Sequence, residues 1–111
     1  MTAPFEQLAA LHRLIHEPAR LALLTALAAC ESADFLYLQG LTGLSKGNLS
    51  SHLSKLEEAG LVTVEKQFKG KTPHTVLRIS ATGKQAVDRH WEQLEKLRSS
   101  ARRWVPEGGT E

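Results

Sequence analysis

A chain of 111 residues suits one compact domain, with a core small enough that a second copy would usefully cover part of its apolar surface. With 41% hydrophobic and 23% charged residues the composition is that of an ordinary globular protein, and no apolar run is long enough to cross a bilayer. The formal net charge of +2 is too small to identify a partner by itself, so its distribution must be read along the chain.

Phe5, Leu8, Leu11 and Ile15 recur at helical spacing and predict a first helix from about Pro4 to His16. Pro18 stands where a second helix would begin, a position whose N–H is unpaired in any helix. The run "PARLALLTALAAC" is apolar on most sides and predicts a central buried helix. In "ESADFLYLQGLTG", Ser32 or Asp34 is the expected N-cap of a short third helix and Gly40 its stop. Ser45 caps a fourth helix from about Lys46 to Ala59, closed by Gly60 in the left-handed position that glycine favours. "LVTVEKQF" and "TVLRIS" alternate on either side of "KGKTPH" and predict a β-hairpin with Gly70 and Pro73 at its tip. Ser80 or Thr82 then caps a long last helix to about Trp104, and residues 105–111 read as a flexible tail.

The fourth helix has an unusual exterior. With Leu49 at zero and about 100° per residue, Leu53 and Leu56 fall within about 40° of it and define the core face. Gly47, Ser51, Ser54 and Glu58 fall opposite, with Asn48, Ser50 and Lys55 on the shoulders. Serine is a mediocre helix former, so three of them on one exposed face weaken the helix and call for a compensating use. A slim, hydrogen-bonding face suits a major groove about 12 Å wide, where Lys46 and Lys55 would reach phosphates or guanine edges and Gly47 would let the backbone come close. Glu57 and Glu58, at the far end, would be directed out of the groove. Residues 45–84 carry seven lysines and arginines against three glutamates, whereas residues 1–44 carry two against four acids. Lys66, Lys69 and Lys71 crowd the hairpin, which fits phosphate binding and equally fits an edge that blocks strand addition. Arg78, among the strand residues, is open to phosphate contact or to pairing with an acid.

Two helices joined by a tight turn and followed by a basic hairpin describe a helix-turn-helix with a wing. The expected fold is mainly α, an α+β winged helix of four helices, a two-stranded β-hairpin wing and a long C-terminal helix. The stretch "SKGNLSSHLSKLEEAGLVTVEKQFKGKTPHTVLRISATGKQAV" resembles the winged-helix regulators of the MarR/ArsR superfamily, and "HEPARLALLTALA" resembles that superfamily's "D-P-x-R-L-x-I-L" helix. The resemblance covers roughly residues 15–90. It implies a dimeric regulator of transcription that binds double-stranded DNA, with helix 46–59 in the major groove and wing 65–75 on the adjacent minor groove or backbone. It assigns the wing contacts to Lys69, Lys71, Thr72 and His74, and makes His52 a structural histidine rather than a base reader. The whole of 1–111 is then one domain, with DNA-binding core and wing at about 18–79 and dimerisation helices at about 1–16 and 80–104. With no separate activation module, repression is the expected mode.

The last helix carries Gly83, Val87, His90, Leu94, Leu97, Ala101 and Trp104 at alternating spacings of four and three, an a/d seam for a partner helix. Trp91 lies beside it, placed to pack on the first helix, and His90 is a polar defect expected to be partly exposed. A two-fold dimer built from these residues together with Phe5 and Leu8 is predicted.

Other chemistry is poorly supported. His12 and His16 are spaced i, i+4, but two ligands make no zinc site, and Cys30, the single cysteine, has no partner. "ADFLYLQGL" lacks the paired cysteines that metal sensors of the resembling superfamily carry. No catalytic triad or phosphate-cradling glycine loop is visible, so neither an enzyme nor a cofactor is expected. The lone cysteine and the absence of a basic-then-apolar leader in "MTAPFEQLAALHR" point to the cytoplasm. The remaining alternatives are a winged-helix module for protein–protein interaction, and a sensor binding an effector near Phe35, Tyr37 or Trp91.

Overall fold

The computed structural model describes residues 3–105. Helix α1 spans Pro4–Ala9 only, well short of the predicted His16. Beyond it, local side chains take the polar groups that a helix would need. His12 Nδ1 accepts the Leu14 N–H (3.2 Å), and the Arg20 guanidinium donates to the carbonyls of Leu14 (2.6 Å) and Arg13 (3.3 Å). Leu11 and Ile15 are still buried, so the apolar spacing had a packing cause, but turns rather than a helix deliver it.

Helix α2 (Pro18–Cys30) starts at Pro18, and the Glu17 carboxylate caps it by accepting the Arg20 N–H at 2.8 Å. Its Leu23, Leu24 and Leu27 are fully buried at the centre of the core. Strand β1 (Ser32–Asp34), at three residues, is too short to show alternation and was not predicted. Helix α3 (Phe35–Thr42) is capped by Asp34, whose carboxylate accepts the Tyr37 N–H at 2.7 Å. It runs through Gly40 and stops at Gly43 (φ +72°), where the left-handed residue is needed.

Helix α4 (Lys46–Glu58) begins where predicted, with Ser45 Oγ accepting the Asn48 N–H. It ends in a Schellman arrangement: the N–H of Gly60 (φ +76°) meets the Glu57 carbonyl and that of Leu61 the Leu56 carbonyl. Strands β2 (Val62–Lys69) and β3 (Thr72–Ile79) pair antiparallel, and β1 adds to the other edge of β3, giving the order β1-β3-β2. Lys69 faces Thr72, so the turn is Gly70–Lys71, with glycine at the first central position (φ +64°) as a type II′ turn requires. Pro73 is therefore not at the tip but inside β3, opposite Phe68. Helix α5 (Ala81–Arg103) is about 34 Å long at 1.5 Å per residue. Ser80 caps it by accepting the Gly83 N–H, while its hydroxyl donates to the Gly60 carbonyl at 2.6 Å.

Among the described residues the result is an α+β winged helix of five helices and a three-stranded antiparallel sheet. Its core joins Leu23, Leu24 and Leu27 to Leu38, to Leu49, Leu53 and Leu56 of α4, to Val62 and Leu77 of the hairpin, and to Val87 of α5. Among the described residues, no helix is long and apolar enough to cross a membrane.

Candidate nucleic-acid interface

Burial of Leu49, Leu53 and Leu56 (0–4% exposed) turns that face of α4 to the core. In that setting Lys46, Gly47, Asn48, Ser50, Ser51, Ser54 and Lys55 are all exposed. By helix geometry the N–H groups of Lys46 and Gly47 have no acceptor within the helix, which adds to the positive potential at this end. On the hairpin, Lys66, Lys69, Lys71 and Thr72 are exposed and His74 is half-buried.

Helix and wing meet across a cleft of about 500 Å³. Lys46, Ser50 and Ser54 line one wall, Thr72 and His74 the other, so the fold joins residues that lie 18 to 28 positions apart in sequence. Asn48, Ser51, Lys55, Lys66, Lys69 and Lys71 are exposed but do not line this cleft. Phe35, named above only as a neighbour of an effector, also lines it, as do Gln39 and Thr75, which were not foreseen. For Gln39 a signal existed, since it is the one amide in an otherwise apolar third helix. Glu57 lines the cleft as well. At eleven residues from Lys46 it stands about 16 Å along the helix, a negative end opposite a positive one.

The electrostatics favour an anionic partner over most of this surface. Among the described residues the ion pairs are confined to Glu17 with Arg20 (4.0 Å) and Arg78 with Glu65 (3.5 Å). The ammonium groups of Lys46, Lys55, Lys66, Lys69 and Lys71 are therefore left un-neutralised. Of the two roles open to Arg78, the structure shows the pairing with an acid. Both partners are more than half exposed, so the pair contributes at most about 1 kcal/mol. His52 is structural: its Nδ1 lies 3.2 Å from the Arg20 guanidinium and 3.7 Å from the Glu17 carboxylate. Burial alone would raise the Glu17 pKa, but N–H bonds from Arg20 and Ala19 and the charge of Arg20 outweigh it and hold the carboxyl below its ordinary 4.5.

The second set of predicted residues divides. Val87 (1% exposed), His90 (4%) and Leu97 (4%) are buried within the chain itself, so they are not free to form a seam with a partner. His90 is thus not the partly exposed histidine expected, and its Nε2 sits 3.1 Å from His16 Nδ1. Burial first, then the charges of His16 and His12, hold its imidazole below the ordinary 6.5. Trp91 turns to α2 rather than α1, its indole N–H donating to Thr25 Oγ1 at 3.0 Å. Phe5 stacks edge-on against Trp104 with centroids 5.1 Å apart. Leu8, Leu94 and Ala101 remain half-buried along a groove between α1 and α5 that Arg98 and Arg102 flank. Among the described residues, no three His, Cys, Asp or Glu side chains are grouped to hold a metal ion.

A family model described as a winged helix DNA-binding domain matches residues 19–98. An uncharacterised protein of Methanocaldococcus jannaschii is 31% identical over 86 residues, which cover 77% of this chain and 92% of that one. Among solved structures, a transcriptional regulator homologue from Pyrococcus horikoshii superposes with a TM-score of 0.81 at 26% identity, covering 90% of this chain and 98% of that one. A MarR-family regulator from Silicibacter pomeroyi superposes with a TM-score of 0.63 at 23% identity, covering 82% and 58%. At that identity it speaks for the fold alone.

Proposed function

Since the chain belongs to the winged helix DNA-binding domain family, we propose that it is a dimeric, sequence-specific regulator of transcription, a cytoplasmic repressor that reads a pseudo-palindromic operator. Helix α4 enters the major groove, and the hairpin contacts the adjacent minor groove or backbone. The observation that carries this is the surface itself: an exposed face of serine, asparagine and glycine, flanked by five lysines without acid partners among the described residues. Asn48, Ser51 and Ser54 offer donors and acceptors to base edges; the lysines offer charge to phosphates. A two-fold dimer built on the α1–α5 groove, through Leu8, Leu94, Ala101 and the Phe5–Trp104 pair, would offer two reading helices to half-sites about 34 Å apart, one turn of duplex.

Selection from a random duplex pool, scored at two salt concentrations, tests this. An enriched palindrome is expected. If all five lysines of each protomer neutralise phosphates, log K should fall with log salt at a slope near −9, from about −0.9 per phosphate. Binding without enrichment would refute sequence reading, and no binding at low salt would refute the DNA assignment. The second reading, a protein-interaction module, has one observation in its favour: Leu36, Tyr37 and Leu41 of α3 are 56–71% exposed. The outer face of α4 has no such apolar patch.

A further inference from the structure

The leucines of α4 hold it to the core without fixing its rotation finely, because apolar packing has no direction. A rotation of about 20° would move side chains at a radius of 5–6 Å by about 2 Å, enough to miss a base edge. A directional contact exists on the flank of the helix. Arg20 is 12% exposed, and its guanidinium reaches His52 Nδ1 at 3.2 Å while its other N–H groups hold the carbonyls of Leu14 and Arg13. Arginine only donates, so Nδ1 must accept, and the imidazole orientation is set by a group already anchored on two backbone carbonyls. Glu17 steadies the same cluster, with its carboxylate on the Arg20 backbone N–H. The anchoring segment, residues 10–17, is in turn tied to α5 through His16 and His90.

We propose that Arg20 is a positioning residue for DNA reading: acting through His52, it sets the rotation of α4 without itself touching DNA. This rests on the DNA-reading role of α4. It is tested with Arg20→Met, His52→Leu, their double variant and His52→Asn, each first shown folded by circular dichroism. Affinities are measured for the selected operator and for an unrelated duplex of equal length. Operator binding should fall about tenfold in each single variant, while binding to the unrelated duplex stays within about twofold, because the phosphate-facing lysines are untouched. The double variant should bind the operator no worse than Arg20→Met alone, since both changes remove one contact. His52→Asn, which keeps an acceptor near the Nδ1 position, should recover most of the loss. If Arg20→Met fails to fold, His52→Leu and its rescue by His52→Asn decide. An unchanged operator-to-unrelated ratio in the folded variants, or losses that multiply in the double variant, would overturn the proposal. Should the unmodified protein select no operator, the DNA-reading role fails and this inference with it, an outcome visible before any variant is measured.

Discussion

Gly83→Ala should destabilise the protein even though alanine is the better helix former. In an open helix the exchange gains about 1 kcal/mol. At position 83 the new methyl carbon would sit 2.9 Å from the Leu61 carbonyl carbon, closer still to its oxygen, and 3.0 Å from Ile79 Cγ1. The isoleucine can rotate away, but the carbonyl cannot, since Leu61 is held by its N–H on Leu56 and by the Ser80 N–H on its oxygen. Helix α5 must therefore lift, straining the Ser80 cap and loosening Val87 in the core. Overpacking costs about 1–3 kcal/mol, and a lost hydrogen bond adds about 1 kcal/mol. After the propensity gain, a net loss of about 1–3 kcal/mol remains, or roughly 5–20 °C in Tm for a domain of this size. Thermal melts followed by circular dichroism read it. Gly40→Ala, also helical and with open space around the site, should instead raise Tm by a few degrees. A Tm for Gly83→Ala at or above that of the unmodified protein would refute the reasoning.

Lys69→Ala and Lys71→Ala should each weaken binding to every duplex and flatten the salt slope by about 2 in a dimer, read by fluorescence anisotropy at several salt concentrations. Asn48→Ala should instead relax the choice at one base pair by about 1–3 kcal/mol, and an unchanged selection profile would remove Asn48 from the readers. Leu94→Glu should halve the mass seen by light scattering and leave the fold intact, whereas Leu97→Glu should unfold the chain, because Leu97 is already buried within it. Because the folded state holds the His90 pKa below 6.5, the unfolded chain takes up that proton first. Stability should then be full above about pH 7 and fall as pH drops through 6.5, by up to about 1.4 kcal/mol per unit until the folded form is protonated too. Urea midpoints between pH 5 and 8 measure this, and His90→Gln should flatten the profile.

Helix α4, with its Ser45 cap, its three core leucines and its Gly60 stop, was legible in the sequence because each signal acts within one turn of the residue that carries it. The same holds for Pro18 at the start of α2 and for the existence of the hairpin. The exposure of the lysines and small polar residues of α4 was legible too, since once the core face of a helix is known its exterior follows. Where α1 ends was not legible, because the Leu14 N–H goes to the His12 ring instead of to the carbonyl four residues back, and Arg20, several residues on, holds the Leu14 and Arg13 carbonyls in that turn. The strand β1 exists only because β3 offers it an edge, and a three-residue segment has no period of its own. Most of all, the a/d spacing of α5 states that one face is apolar and not what covers it. Tertiary packing gave Val87, His90 and Leu97 to the chain's own interior, leaving Leu94 and Ala101 on the groove with α1, because α5 must first close the core over Leu61 and bring His90 against His16.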